Sequence, residues 1–250
     1  MSDVSALENG QKKMAQDRER GIPFSEDGTV LLKYPDGISD TVYEIPYGIK
    51  EIAQYAFADC GELKEVIITG SVMEIKAEAF NKKLNITSCN AKFKVDDKGV
   101  LIDTELRQLI YAPPAVSGAY VIPDGITKIG DHAFRSCNGV TGVTISESVT
   151  DIGDYAFCEN TGLTDMSIPA SVVRIGEGAF CGCSCLSELE ILNSEVEIGR
   201  CAFNGCPRFN APVIPDSVPE ISEESAWNWS PGFSPVSITG DAAEKDEYGL

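Results

Sequence analysis

Apolar residues recur along this chain in columns at a nearly fixed interval. An Ala-Phe dipeptide occurs every 23 residues from position 56 to position 203, except for one interval of 54 residues. An isoleucine lies four residues before each dipeptide, and another lies seven residues before that one. The unit reads L-x-x-V-x-I-P-x-x-V-x-x-I-G-x-x-A-F-x-x-C-x-x, and residues 163–185 are a nearly complete copy. A repeat of this length indicates a stack of similar structural units.

The pattern within one unit predicts its local structure. The alternation in V-x-I favours a short strand with one buried face, and the following Pro ends that strand. V-x-x-I-G indicates a second extended or turning segment, and A-F-x-x-C is expected to point Ala, Phe and Cys inward from a helical or 3₁₀ turn. One coil cannot cover its own apolar side, but stacked coils cover each other. The sequence therefore predicts a solenoid.

Two stretches break the period and divide the chain. Residues 93–114 contain short apolar runs separated by DDKG, a hairpin-turn signal, and by TELR. Residues 24–37 look like a shorter version of the same unit. The predicted divisions are a flexible or helical N-terminal segment (1–20), a hairpin with the first repeat array (21–92), an inserted β-hairpin unit (93–119), a second array with a C-terminal cap (120–235) and an acidic tail (236–250).

The repeat unit resembles the BspA-type leucine-rich repeats of bacterial and protist proteins. The resemblance covers about residues 24–229, and the spacing, the Pro position, the Ala-Phe pair and the Cys column recur together. It implies a leucine-rich-repeat solenoid, α/β to mainly β, with 23-residue coils in a curved right-handed stack and inserted β-hairpin units. Members of this family are often surface or secreted adhesins of host-associated microbes, so the resemblance implies an adhesin-like role.

The charge of the chain limits its partners. Lys and Arg number 20 and Asp and Glu number 39, which gives a net charge of −19. This charge disfavours binding to nucleic acid and to anionic membranes. No apolar run approaches the roughly 20 residues of a membrane span, and residues 1–21 lack the apolar core of a secretory signal. We therefore expect a cytoplasmic protein, or a surface or secreted one if a targeting segment precedes this sequence.

The nine cysteines raise the question of a metal site. CGCSC, at 181–185, has three thiols that suit zinc or another soft metal. However, Cys183 falls in a repeat column, and a second pair of thiols with ligand spacing is missing. Neighbouring coils about 4.8 Å apart would also allow a disulfide between Cys158 and Cys181. The preferred interpretation is reduced, buried thiols, with no metal and no cofactor.

Catalytic signatures are weak in this sequence. His132 is the only histidine, so a Ser-His-Asp or Cys-His pair must use it or not exist. It occupies a variable repeat position, where a surface or flanking residue is expected. The carboxylates around Glu188 and Glu195 lack the spacing of a glycosidase pair or a calcium loop. The sequence therefore predicts that the protein is not an enzyme, although an enzyme centred on CGCSC or on these acids is a third hypothesis.

Strand residues that point away from the core are the main candidates for binding. In a solenoid such residues form flat columns on one face. We predict a recognition module that binds a protein or glycan partner there. The alternative is a structural or assembly element without a specific ligand. In either case we expect a monomer or a weak homo-oligomer. The candidate binding residues are Glu44, Glu65, Ile67, Val121, Thr144, Asp165, Ser167, Glu188, Glu190 and Val213.

Overall fold

The chain winds into a mainly β solenoid, as the repeat predicts. The computed structural model describes residues 3–80 and 84–208. In chain order the elements are α1 (Asp3–Glu19), β1 (Val30–Leu31), β2 (Val42–Glu44), β3 (Glu51–Ile52), β4 (Glu65–Ile68), β5 (Glu74–Ile75), β6 (Asn85–Ser88), β7 (Phe93–Val95), β8 (Leu101–Asp103), β9 (Gln108–Tyr111), β10 (Ser117–Val121), β11 (Lys128–Ile129), β12 (Gly139–Thr144), β13 (Asp151–Ile152), β14 (Asp165–Ile168), β15 (Arg174–Ile175), β16 (Glu188–Ile191) and β17 (Glu197–Ile198).

Each regular coil supplies a longer strand to one side of the solenoid, here called the front, and a two-residue strand to the back. The front strands form two parallel sheets, in the orders β2-β4-β6 and β10-β12-β14-β16. Pairing follows the repeat, because Met166 lies opposite Leu189 and Ile168 opposite Ile191. These residues are buried while their neighbours in the strand are exposed. The V-x-I alternation therefore fixes which side chains face the core.

The segment between the two arrays is a three-stranded antiparallel meander, β7-β8-β9. Its last strand pairs in parallel with β11 and so joins the back sheet of the second array. In the DDKG turn, the Asp96 carboxylate accepts hydrogen bonds from the N–H groups of Lys98 and Val100. Tyr111 packs in the buried cluster of the first array, whereas Leu109 packs in that of the second. The meander thus connects the two cores.

Stacked aromatic rings run along the interior. The rings of Phe134, Phe157, Phe180 and Phe203 follow one another with centroids 5.3 Å apart. Tyr111 takes the next place beyond Phe80, at 5.5 Å. All of these rings are buried, so each coil covers the apolar surface of the next.

The Ala-Phe segments form turns, and the predicted helical or 3₁₀ geometry is wrong. The residue before Ala has a positive φ in every regular coil of the described chain, as at His132 (59°) and Tyr155 (55°). A left-handed residue cannot continue a right-handed helix. The turn also passes a hydrogen bond to the next coil, for example from the N–H of Phe157 to the carbonyl of Ala179 at 2.7 Å.

The predicted inward column of thiols is present. Cys183 Sγ donates to the carbonyl of Phe157 at 3.1 Å, and Cys206 Sγ donates to that of Phe180 at 3.2 Å. In the coil where asparagine replaces cysteine, Asn160 Nδ2 donates to two carbonyls. The side chain at this position therefore satisfies turn carbonyls inside the core.

Cys158 and Cys181 form a disulfide, so the preference for reduced thiols is wrong at this pair. The two residues follow the Phe of adjacent coils, which puts their Cα atoms 4.6 Å apart. That distance lies within the range that disulfides require. The other seven cysteines are not in disulfide bonds.

Helix α1 covers the first coil. The Asp17 carboxylate is buried and accepts a hydrogen bond from the Tyr43 hydroxyl at 2.8 Å. Lys13 and Arg20 pair with the same carboxylate. A Cβ at Gly10 would lie 1.9 Å from the carbonyl oxygen of Tyr47, so helix and coil touch through their backbones. The helix thus shields the end of the stack, as terminal caps do in repeat proteins.

Candidate binding surface

The structure places the candidate residues on the front strands. Glu44, Val121, Thr144, Asp165, Ser167, Glu188 and Glu190 are exposed, and Glu65 and Ile67 are half-buried. Val213 lies outside the described residues. These exposed and half-buried side chains of the front strands form what we call the front face.

The front face is divided into two parts, one in each array. The residues on β2 and β4 belong to one sheet, and those on β10 to β16 belong to another. The division arises because the meander replaces a regular coil and sends no strand to the front between β6 and β10. Lys98 Nζ, from the meander turn, instead donates to the carbonyl of Ala119 on β10 at 2.6 Å.

Two exposed residues of the first part were not predicted from the sequence. Asn85 and Thr87 are exposed on β6, beside Glu65 and Ile67. The Thr87 hydroxyl donates to the Glu65 carboxylate. Strand β6 lies 20 residues after β4, because Ser88 pairs with Ile68. The 23-residue repeat therefore does not predict this strand, and the alternation around Ile86 is the only sequence feature that indicates it.

The second part changes character from β10 to β16. Val121 is 64% exposed on β10 and makes an apolar patch. Asp165 lies in register beside Glu188, and Ser167 beside Glu190. The Ser167 hydroxyl donates to Glu190 at 3.2 Å, and the Thr164 hydroxyl donates to Asp165 at 2.8 Å. This end of the face is therefore acidic, with carboxylates held by neighbouring hydroxyls.

His132 is partly buried at the junction between the two arrays. Its side chain is 20% exposed, and its ring stacks on Tyr155 with centroids 5.2 Å apart. Nδ1 lies 3.3 Å from Glu78 Oε1, across the junction between the two arrays. Arg135 approaches the same oxygen at 3.7 Å. The geometry is that of a partly buried polar contact between two turns.

The three thiols of CGCSC point to different places. Cys181 is in the disulfide, Cys183 is buried in the inward column, and Cys185 is partly exposed. The pKa of Cys183 is raised, first by its hydrogen bond with Cys206 and then by its burial. Over residues 3–80 and 84–208, no group of three or more His, Cys, Asp or Glu side chains is placed to share a metal ion.

In the same ranges, no helix has the length and apolarity of a membrane span.

Comparison with protein families agrees with the repeat geometry. Residues 38–99 and 118–230 match the BspA type leucine rich repeat region, in six copies. The chain belongs to the BspA-type leucine-rich repeat family. The gap between the two matched segments contains β8 and β9, so the meander is where this BspA-type protein departs from the family repeat. No curated protein sequence matches the chain at a significant level.

Several solved leucine-rich repeat structures are similar to this BspA-type protein. A leucine rich cell surface protein from Faecalibacterium prausnitzii A2-165 is 24% identical over 79% of this chain and 63% of its own, with a TM-score of 0.62. A leucine-rich repeat protein from Eubacterium ventriosum is 23% identical over 74% and 52% of the two chains, with a TM-score of 0.61. The pneumococcal vaccine antigen PcpA is 22% identical over 70% and 51%, also with a TM-score of 0.61. The chain therefore spans about half to five-eighths of these proteins, and the likeness shows the fold.

Proposed function

We propose that this chain is a non-enzymatic recognition module that binds a protein partner across its front face. The observation that carries the proposal is the register of exposed side chains on parallel strands. Asp165 beside Glu188, and Ser167 beside Glu190, are held in fixed positions by the backbone hydrogen bonds of β14 and β16. A partner then binds a preorganised surface and loses little free energy to ordering it.

The chemistry of the face indicates what such a partner presents. The acidic end on β14 and β16 is complementary to Lys and Arg side chains, and the exposed Val121 is complementary to an apolar contact. The family membership and the cell surface protein among the similar structures support a recognition role. A glycan is the alternative partner, with Thr144 and Ser167 as hydrogen-bonding groups.

The test compares two charge-reversed proteins with the same net charge. One carries Asp165→Lys, Glu188→Lys and Glu190→Lys on the front face. The control carries Glu105→Lys, Glu147→Lys and Glu195→Lys, which replace exposed acids in turns. Both are screened with the unmodified chain against arrays of purified extracellular proteins and of glycans. We expect binding to a basic protein that the front-face variant loses and the control keeps.

Two results would contradict the proposal. Equal binding by both variants would place the interaction elsewhere on the molecule. Binding to the glycan array alone would replace the protein partner with a carbohydrate. Light scattering of the same three proteins tests the assembly alternative, which requires an oligomer that grows with concentration.

A further inference from the structure

The disulfide links the same two coils that carry the in-register acids of the front face. Cys158 is in the turn that leads into β14, which begins at Asp165. Cys181 is in the turn that leads into β16, which begins at Glu188. The other coils have a different residue type in this column, which follows the Phe: Ala58, Asn81, Arg135 and Asn204. The covalent link therefore coincides with the acidic end of the face.

The acidic end brings like charges together. Asp165 lies opposite Glu188 on the neighbouring strand, and neighbouring strands are about 4.8 Å apart. Glu190, on the same strand as Glu188, is exposed on the same face. Like charges at this spacing repel each other and weaken strand pairing. The repulsion therefore acts to separate β14 from β16.

Two kinds of link between the coils oppose this separation. Backbone hydrogen bonds join the turns, for example from the N–H of Glu159 to the carbonyl of Cys181 at 2.6 Å. Such bonds break and re-form when a coil opens locally. The disulfide stays closed during local opening, so it limits how far the coils separate and how many conformations the open state has. It therefore keeps the acidic side chains in register.

The disulfide lies on the turns, where a dithiol reductant can reach it. Cys181 is partly exposed, whereas Cys158 is only 4% exposed, so Cys181 Sγ is the sulfur open to attack. One thiolate of the reductant bonds to Cys181 Sγ, and Cys158 leaves as a thiolate. The second thiolate of the reductant then displaces Cys181 and closes the reductant's own disulfide. The two protein sulfurs gain two electrons and two protons.

We propose that the Cys158–Cys181 disulfide is a redox switch that controls the order of the acidic end of the front face. In the oxidised form, β14 and β16 are held together and their carboxylates keep fixed positions. In the reduced form, the stacked rings of Phe157 and Phe180 still hold the array together, but β16 separates from β14 more often. The consequence for binding rests on the proposed function, because a basic partner then binds the ordered, oxidised form more tightly.

The experiment measures amide hydrogen exchange of the whole ¹⁵N-labelled chain, with and without dithiothreitol. We expect the amides of β14 and β16 to exchange at least about tenfold faster after reduction. The amides of β10 and β12, in coils without the bond, should change by less than about twofold. Unchanged exchange in β14 and β16 would overturn the switch. An equal rise in β10 and β12 would also overturn it, because the whole array would then be destabilised.

Three variants test the assigned cause. Cys158→Ser with Cys181→Ser should exchange like the reduced chain and should not respond to dithiothreitol. The matched control, Cys89→Ser with Cys185→Ser, keeps the bond and should behave like the unmodified chain. Asp165→Asn with Glu188→Gln removes the repulsion and should slow exchange in the reduced form.

A response to dithiothreitol in the variant without Cys158 and Cys181 would overturn the assignment to this bond. Exchange as fast as before in the reduced variant without the two acids would overturn the repulsion. If the serine variant does not fold, as judged by its amide spectrum, the two redox forms of the unmodified chain still decide the proposal.

Binding separates this inference from the proposed function. The basic protein selected on the array is titrated into the unmodified chain and into the variant with Cys158→Ser and Cys181→Ser, and we expect weaker binding to the variant. If exchange differs between the redox forms but no protein binds the front face, the switch stands and the proposed function fails. If the protein binds both chains equally, the proposed function stands and the switch is overturned.

Discussion

The rings of Phe157 and Phe180 lie parallel, with centroids 5.3 Å apart and planes 5° from each other. The two residues are 23 positions apart in the sequence, and both are fully buried. This contact repeats along the second array, so the stability of each coil depends on the rings of its neighbours.

Replacing a central ring should therefore destabilise the whole array. Phe157→Ala removes a side chain that contacts rings on both sides, and we expect a loss of about 3–5 kcal/mol in the free energy of unfolding. Val173→Ala, at a site that is 51% exposed, should change it by less than about 0.5 kcal/mol. Urea unfolding followed by circular dichroism measures both. Similar losses for the two variants would contradict the stacked core.

Asn160 should be replaceable by cysteine but not by alanine. Its Nδ2 donates to the carbonyls of Phe134 and Phe157 at 2.7 and 2.8 Å. Asn160→Ala leaves both buried carbonyls without this donor and should cost about 1–3 kcal/mol. Asn160→Cys should cost less, because Cys183 reaches a carbonyl from the equivalent position. Thermal unfolding of both variants checks the order, and an equal loss would show that the thiol does not substitute for the amide.

The disulfide should stabilise the second array. Closing a loop between Cys158 and Cys181, 23 positions apart, is expected to contribute about 3 kcal/mol. Cys158→Ala should lower the unfolding midpoint, whereas Cys89→Ser, at an exposed free thiol, should not. Alkylation of the unfolded, unreduced protein should label seven of the nine cysteines in mass spectrometry. Labelling of all nine would mean that the bond is absent.

Alkaline pH should destabilise the fold. Burial raises the pKa of Tyr43 and of Tyr120 well above the ordinary value, and it raises the pKa of Cys60 to about 11. In the unfolded chain, cysteine ionises near about pH 8.5 and tyrosine near about pH 10. The unfolded state therefore loses protons first, so stability is full below about pH 8.5 and falls as the pH rises.

This pH dependence is measured from unfolding midpoints between pH 7 and pH 11. The tyrosinate absorbance of the buried rings should rise together with unfolding, because these rings ionise only once they are exposed. A constant midpoint across this range would contradict the burial of these groups.

The sequence by itself determined the coil. The alternation around Met166 and Ile168, the Pro after the strand and the Ala-Phe pair are local signals, and repeating them makes every coil bury the same side chains. The family and the outward direction of Asp165 or Glu190 therefore followed from the pattern alone. The left-handed turn was missed, because φ at His132 or Tyr155 depends on the hydrogen bond that the turn gives to the next coil.

Only the tertiary structure decided what happens where the period breaks. The split of the front face and the contact between Glu78 and His132 both depend on how the meander fills the place of one coil. Those residues are distant in sequence and belong to different arrays, so no periodic signal relates them. The disulfide between Cys158 and Cys181 was one of two options in the sequence, and the stacking distance of the coils decided between them.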